Sequence, residues 1–281
     1  MILQSEIQDI DARQLKRAFC QVMIAEAKTI PEIPTLQEIQ AMEITMPHLA
    51  EVAINHTSTV HDQDLLWPFI GLTHFYKGQG LYIQAEPWCD RCLKITRERL
   101  GDEHLVVATS LNNLALLYEC QGRYGEAESL LEQALALRKQ LLSNEHSNVA
   151  MTLNNLAVIY GQQGHYSKAK LFLLESLEMH KRLLGNEHPN IAENLNNLAA
   201  IHKHQGYYSE AELCLLESLE IYKRLLGDEH PNVAESLNDL ALLYKHQGRC
   251  SEAEPLYQAS LAMRSVKCQL HRRQKRKELR G

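Results

Sequence analysis

LNNLA stands at residues 111–115, returns at 153–157 and 195–199, and comes once more as LNDLA at 237–241. Leucine and alanine suit a packed helix; two adjacent amides do not. Asn gives up as much as ~0.7 kcal/mol to Ala at a helical position, because its side chain competes for nearby backbone groups. Seven Asn and one Asp at these eight places therefore cost roughly 5 kcal/mol of propensity, a large share of an ordinary domain's stability. A polar pair that recurs four times at such a cost must be offset by something it does.

The step between copies is 42 residues, and other landmarks keep it. GDEH at 101–104 is followed by SNEH at 143, GNEH at 185 and GDEH at 227. Tyr118, Tyr160 and Tyr244 fall in line, with His202 in the third copy; Gly122, Gly164, Gly206 and Gly248 follow, then Ala127, Ala169, Ala211 and Ala253. A fixed period between ~20 and ~50 residues marks a solenoid, in which each unit buries its apolar face against its neighbours. Within one copy, PNIAENLNNLAAIHKHQG (189–206) and YYSEAELCLLESLEIYKRLLG (207–227) both space their apolar residues as helices do. Pro189 and Pro231 sit where a first helical turn tolerates a missing N–H, and Gly185 and Gly227 sit where the preceding helix must stop. Each copy thus reads as two antiparallel helices, and nothing reads as strand.

Leu111, Leu114, Ala115, Tyr118, Ala127, Leu131 and Ala134 occupy the signature places of a tetratricopeptide repeat. The spacing resembles the 42-residue variety of kinesin light chains and of many bacterial repeat proteins, over about 59 to 264. The resemblance implies an all-α fold, an α-solenoid in which antiparallel helix pairs wind into a right-handed superhelix. It divides the chain into an N-terminal helical cap (1–58), a degenerate repeat (63–100), four repeats (101–142, 143–184, 185–226 and 227–264) and a basic tail (265–281). In the degenerate repeat the amide pair is replaced by Ile70 and Gly71. The cap is expected to be one helical pair, 9–29 and 36–55, broken by Pro31 and Pro34. MPHLAEVA (46–53) and LLWPFIGLTHFYKGQGLYIQAEPWC (65–89) resemble the entry to the repeat arrays of bacterial NB-ARC-type signalling ATPases. No G-x-x-x-x-G-K-[ST] phosphate loop is present, so ATPase activity does not carry over.

In tetratricopeptide repeats the first helix of each pair lines the inner wall. Carried onto this sequence, that implied wall holds Asn112 and Asn113, Asn154 and Asn155, Asn196 and Asn197, and Asn238 with Asp239. Farther along the same helices come Glu119, Lys203 with His204, and Lys245 with His246; Leu116 and Val158 supply apolar contact. An extended peptide offers one N–H and one C=O per residue, and an Asn side chain can answer both. Both amides of a pair could face ligand, both could bond to the neighbouring helix, or one could do each; the mixed arrangement is the one expected. The resemblance implies a protein or peptide partner held in the concave groove, with acidic side chains favoured beside Lys203 and Lys245. Two further readings are a detached regulatory arm of an NB-ARC-type ATPase and, more weakly, a kinesin-light-chain-like cargo adaptor. The adaptor would require a heptad coiled coil, and residues 1–58 are too short and too interrupted by proline to provide one.

Other signals give no catalytic or metal site. CDRC at 89–92 invites a zinc or redox reading, but Cys89 and Cys92 take the register of Leu131 and Ala134, and no second C-x-x-C follows. His202 and His204 are two apart and so point to different faces, each expected to be solvated or groove-lining. In the four EH turns, residues of the Asp102 and Asn144 type are expected to cap the helices, with His104, His146, His188 and His230 beside them. No nucleophile, base and orienting group fall into place, so the chain is read as a non-enzyme without cofactor.

Composition is consistent with that reading. The 281 residues are 45% hydrophobic, carry seven Cys without paired spacing, and contain no apolar run of the ~18–20 residues a membrane span needs. A cytoplasmic monomer is expected. The net charge of -6 is uneven: eight Lys and Arg against Glu278 from Arg264 onward give +7, leaving -13 elsewhere. An acidic body disfavours nucleic acid except through the tail 264–281, whose expected role is a solubilising cap.

Overall fold

The computed structural model describes residues 2–32 and 34–263, with side chains from residue 12 onward. The basic tail therefore lies outside the described residues. Among them the chain is all-helical. The helices are α1 (Ile2–Thr29), α2 (Leu36–Met42), α3 (Met46–Asn55), α4 (Trp67–Gly78), α5 (Tyr82–Leu100), α6 (Leu105–Cys120) and α7 (Tyr124–Leu141). They continue with α8 (Ser147–Gln162), α9 (Tyr166–Leu184), α10 (Pro189–His204), α11 (Tyr208–Leu226), α12 (Pro231–His246) and α13, described over 250–263. Two compact units result, Met1–Leu141 and Leu142–Gly281. Within each unit the helices of the repeats pack against their neighbours in sequence, α4 to α7 in one and α8 to α12 in the other, as in an α-solenoid.

Each repeat's first helix starts on a histidine rather than on the expected Asp or Asn. Nδ1 of His104, His146, His188 and His230 accepts the backbone N–H two residues on, at 3.1, 3.1, 3.2 and 3.2 Å. That satisfies one of the donors a helix start leaves orphaned. The preceding helices α5, α9 and α11 end on Gly101, Gly185 and Gly227, with φ of 82°, 79° and 82°. Their ψ values of 163°, 179° and 161° complete a conformation that is essentially open only to glycine. At the corresponding place after α7 stands Ser143, whose hydroxyl donates to the Glu145 carbonyl instead.

In the first unit α1 and α3 lie against α4, burying Ala27, Leu49, Phe69, Leu72 and Phe75 together. This packing explains why the degenerate repeat lacks the second amide of its pair. A Cβ on Gly71 would come within 2.8 Å of the Leu49 side chain and 3.2 Å of Ala27. The place that carries Asn113 in the next repeat is here filled by neighbouring helices. The expected continuous helix over 36–55 is instead two, α2 and α3. A proline ring clashes with the carbonyl four residues back and offers no N–H to it; Pro47 imposes that on Glu43, and the chain turns over 43–45.

In the second unit one hydrogen bond ties each pair of helices. Ser176 donates to the Ala150 carbonyl at 2.7 Å, Ser218 to Ala192 at 2.9 Å and Ser260 to Ala234 at 2.7 Å. Around these bonds pack Ile191, Leu195, Leu219, Ile221 and Val233, and farther along Ala199, Leu215, Leu240 and Leu243.

Candidate functional site

The two amides of a pair have different surroundings. Asn112 and Asn154 are each only 3% exposed, while Asn196 and Asn238 are half-buried. The second members, Asn113, Asn155, Asn197 and Asp239, are all half-buried. In the second unit two of the first amides, Asn154 and Asn196, are engaged with the next repeat. Asn154 donates from Nδ2 to Glu193 on α10 at 3.2 Å and accepts at Oδ1 from Asn197 at 3.0 Å. Asn196 donates to the Ser236 hydroxyl on α12 at 3.5 Å, and its buried Oδ1 has no hydrogen-bond partner among the described residues. Asn112 and Asn113 belong to the first unit, the other three pairs to the second.

Two hollows open beside the second amides. In the first unit Asn113 and Leu116 of α6 face Ile70, His74 and Lys77 of α4, with Lys77 held by Glu32 at 3.2 Å. Burial pushes the Glu119 carboxyl above its ordinary range, and only the Lys77 charge opposes the shift. In the second unit Val158 and Gly161 of α8 face Asn197, Ala200, Ile201 and His204 of α10. Gly161 takes the place of Glu119, Lys203 and Lys245 in the other repeats, and a Cβ there would lie 2.7 Å from Ile201 Cδ1. A larger residue there would have to displace the end of the Ile201 side chain.

The basic residues separate by exposure. Lys203 is half-buried; Lys245, His204 and His246 are exposed. The His204 ring stacks on Tyr166, centroids 5.4 Å apart and 8° from parallel. His202, expected to be solvated or groove-lining, is instead buried in the place of the repeat tyrosine, with its edge toward Tyr207. Desolvation, then the Lys170 charge, lowers its pKa.

Cys89 and Cys92 lie in the core. Burial pushes their thiols up to about 11 and about 12, and they contact Thr73 Oγ1 at 3.3 Å and Ser110 Oγ at 3.6 Å. Both stay protonated at neutral pH, which disfavours metal ligation and redox chemistry. No cluster of three or more His, Cys, Asp or Glu suited to a metal forms among the described residues.

Sequence reasoning missed a clasp that appears once in each unit. Arg123 lies over the Tyr118 ring at 3.7 Å and bonds Glu86 on α5 and Glu126, both at 2.7 Å. Arg249 lies over Tyr244 at 3.9 Å and bonds Glu212 on α11 at 2.8 Å and Glu252 at 2.7 Å. Each joins one repeat to the helix before it. The signal was present as Gly-Arg followed three residues later by Glu, in QGRYGEAE and QGRCSEAE.

Comparison with known proteins agrees with this architecture. The family model for the tetratricopeptide repeat matches residues 69–140, 121–182, 149–224 and 190–265. No curated protein matches by sequence. Among solved structures, BtubC (BKLC) from P. vanneervenii is 24% identical, with a TM-score of 0.63 over 83% of this chain and 93% of that one. The kinesin light chain nearly identical TPR-like repeats of Podosopora anserina are 26% identical, with a TM-score of 0.56 over 76% of this chain and 99% of theirs. NprR, solved in complex with its cognate peptide NprX, shares the fold at 17% identity and a TM-score of 0.64, over 89% of this chain and 66% of its own. With the family model covering most of the sequence and kinesin-light-chain-like repeats among its structural neighbours, the chain belongs to the tetratricopeptide repeat family.

Proposed function

We propose that the chain is a non-catalytic interaction scaffold that holds an extended segment of a protein partner along the first helices of its repeats. The observation that carries this reading is the division of labour within the amide pairs. Asn154 and Asn196 spend hydrogen bonds on the neighbouring helix, while Asn113 and Asn197 border hollows. Asn197 is instructive: its Nδ2 is pinned by Asn154 at 3.0 Å, which leaves its oxygen to accept a peptide N–H. An amide already held in place loses little rotamer freedom on binding, so such contacts favour affinity without reading sequence. Lys203 and Lys245, on the same helices as Asn197 and Asp239, favour acidic side chains there. The fold is one that, in NprR, accompanies a bound peptide.

Selection from a displayed library of random peptides tests the reading. Enriched peptides should be rich in Asp and Glu and should lose about tenfold or more in affinity when Asn155 and Asn197 are both changed to Ala. Lys203→Glu with Lys245→Glu should reverse the preference toward basic peptides. Selected peptides that bind all three proteins equally would sink the groove assignment.

A further inference from the structure

The first helices of the third and fourth repeats carry the same order of charge along one face. At steps of four, three and four residues, which keep to one side of a helix, α10 reads Glu193, Asn197, Ala200, His204 and α12 reads Glu235, Asp239, Leu242, His246. Contacts fix this face on α10: Asn154 of α8 bonds both Glu193 and Asn197, and Asn197, Ala200 and His204 line one hollow. Lys203 and Lys245 stand one residue before the histidines. Their flank is the one that α10 turns toward α12, where Asn196, two turns before Lys203, bonds Ser236. Acid is thus at one end of the face and base at the other. Ten residues separate Glu193 from Lys203 and Glu235 from Lys245, about 15 Å along the helix at ~1.5 Å per residue. In α8 the face reads Met151, Asn155, Val158, Gln162, so the polarity belongs to these two repeats.

The acid end acts on its surroundings as charge. Glu193 and Glu235 are both exposed. Burial first, and then the charges of Glu193 and Glu235, push the Tyr222 hydroxyl up to about 12 against a hydrogen bond with Asn232. The arginines at the C-terminal ends of the second helices are spent on other acids, Arg182 on Glu145 and Glu178, Arg224 on Glu187 and Glu220. An extended segment that crosses α10 and α12 over their middles meets this polarity with its two sides. In a strand the backbone N–H and C=O groups point at right angles to the side chains, and successive side chains go to opposite sides. A backbone edge turned to the Asn197 oxygen therefore sends alternate side chains toward Glu193 and Glu235, and those between them toward Lys203 and Lys245. We propose that the ligand of this face is a protein segment of alternating charge, with bases at positions of one parity and acids at positions of the other. The proposal rests on the peptide-binding reading and deepens it: Lys203 and Lys245 account for the acids, and Glu193 and Glu235 call for bases between them. A segment of the same composition in the wrong order sets like charges together and is rejected.

Peptides selected from a random library on the full chain test it. They should carry Asp or Glu at positions of one parity and Lys or Arg at the other. In the tightest of them, exchanging an acid with the base beside it keeps composition and net charge, and should weaken binding about tenfold. Reselection on Glu235→Lys should turn bases into acids at their parity and leave the acids of the other parity in place; reselection on Lys245→Glu should change only the acids. Glu235 is chosen over Glu193 because the bond from Asn154 to Glu193 also joins two repeats, and unchanged circular dichroism checks that both variants fold. Acids at every second position with no bases between them would overturn the proposal and leave the groove reading standing. So would an exchanged peptide that binds as well as its parent. Peptides indifferent to Asn155→Ala combined with Asn197→Ala would overturn both.

Discussion

At the scale of the residue, Asn154 shows how a poor helix former is tolerated inside a helix. Its replacement by Ala should gain up to ~0.7 kcal/mol of helix propensity. It should lose more, because the two part-buried hydrogen bonds that tie Asn154 to Glu193 and to Asn197 are lost together, each worth about 0.5–1.5 kcal/mol. Asn154→Ala is therefore expected to lower stability by ~1–2 kcal/mol, read as a lower urea midpoint with an unchanged slope. An unchanged or raised midpoint would mean that the bond to the next repeat contributes nothing. The sequence placed the pair on one helix face but could not say which amide turns toward the neighbouring repeat. The deciding residue is Glu193, 39 positions downstream, where the earlier repeats carry Thr109 and Met151. A periodic pattern shows what repeats have in common, and this contact depends on where they differ.

At the scale of the element, the four helix starts place a histidine where Ser, Thr, Asp or Asn is usual. The substitution works because imidazole Nδ1 is as many bonds from the backbone as the Asn side-chain oxygen, and it accepts a hydrogen bond in the neutral ring. His146→Ala should cost ~1 kcal/mol and His146→Asn much less, while Asn144→Ala, aimed at the residue type the sequence favoured, should be close to neutral. Thermal denaturation of the three variants checks the order; equal losses for His146→Ala and Asn144→Ala would return the cap to the Asn. Most element-scale features were legible in advance. The glycine stops and the helix pairing followed from local chemistry repeated at one period. Less visible were the Ser176, Ser218 and Ser260 bonds, since each spans 26 residues to a carbonyl that any side chain could accompany. The α2–α3 break is less legible, because Pro47 lies inside a stretch whose apolar spacing is helical on both sides of it.

At the scale of the whole molecule, buried histidines and clasped carboxylates give stability a two-step dependence on pH. Burial is the foremost cause lowering the pKa of His74 in the first unit and of His180 and His202 in the second. A folded-state pKa below the usual 6.5 means that the unfolded chain takes up protons first. The stability tied to these rings is thus complete above pH ~6.5 and is lost as pH falls toward their folded values. Glu86 and Glu212, depressed foremost by hydrogen bonds from Arg123 and Arg249, act in the same sense at lower pH. Their contribution is complete above ~4.3 and lost below it. Glu119 and Asp90, both raised by desolvation, oppose that second step, and both lie in the first unit. The histidine step is therefore the cleaner one to measure. Urea midpoints taken from pH 8 to pH 5 should fall progressively below pH ~6.5. His202→Tyr installs the residue carried at that place by the other repeats, Tyr118, Tyr160 and Tyr244, and should flatten the fall in part without altering the carboxylate step. A wild-type midpoint level from pH 8 to pH 5 would show that these rings take up protons as readily folded as unfolded, and that their burial carries no electrostatic cost.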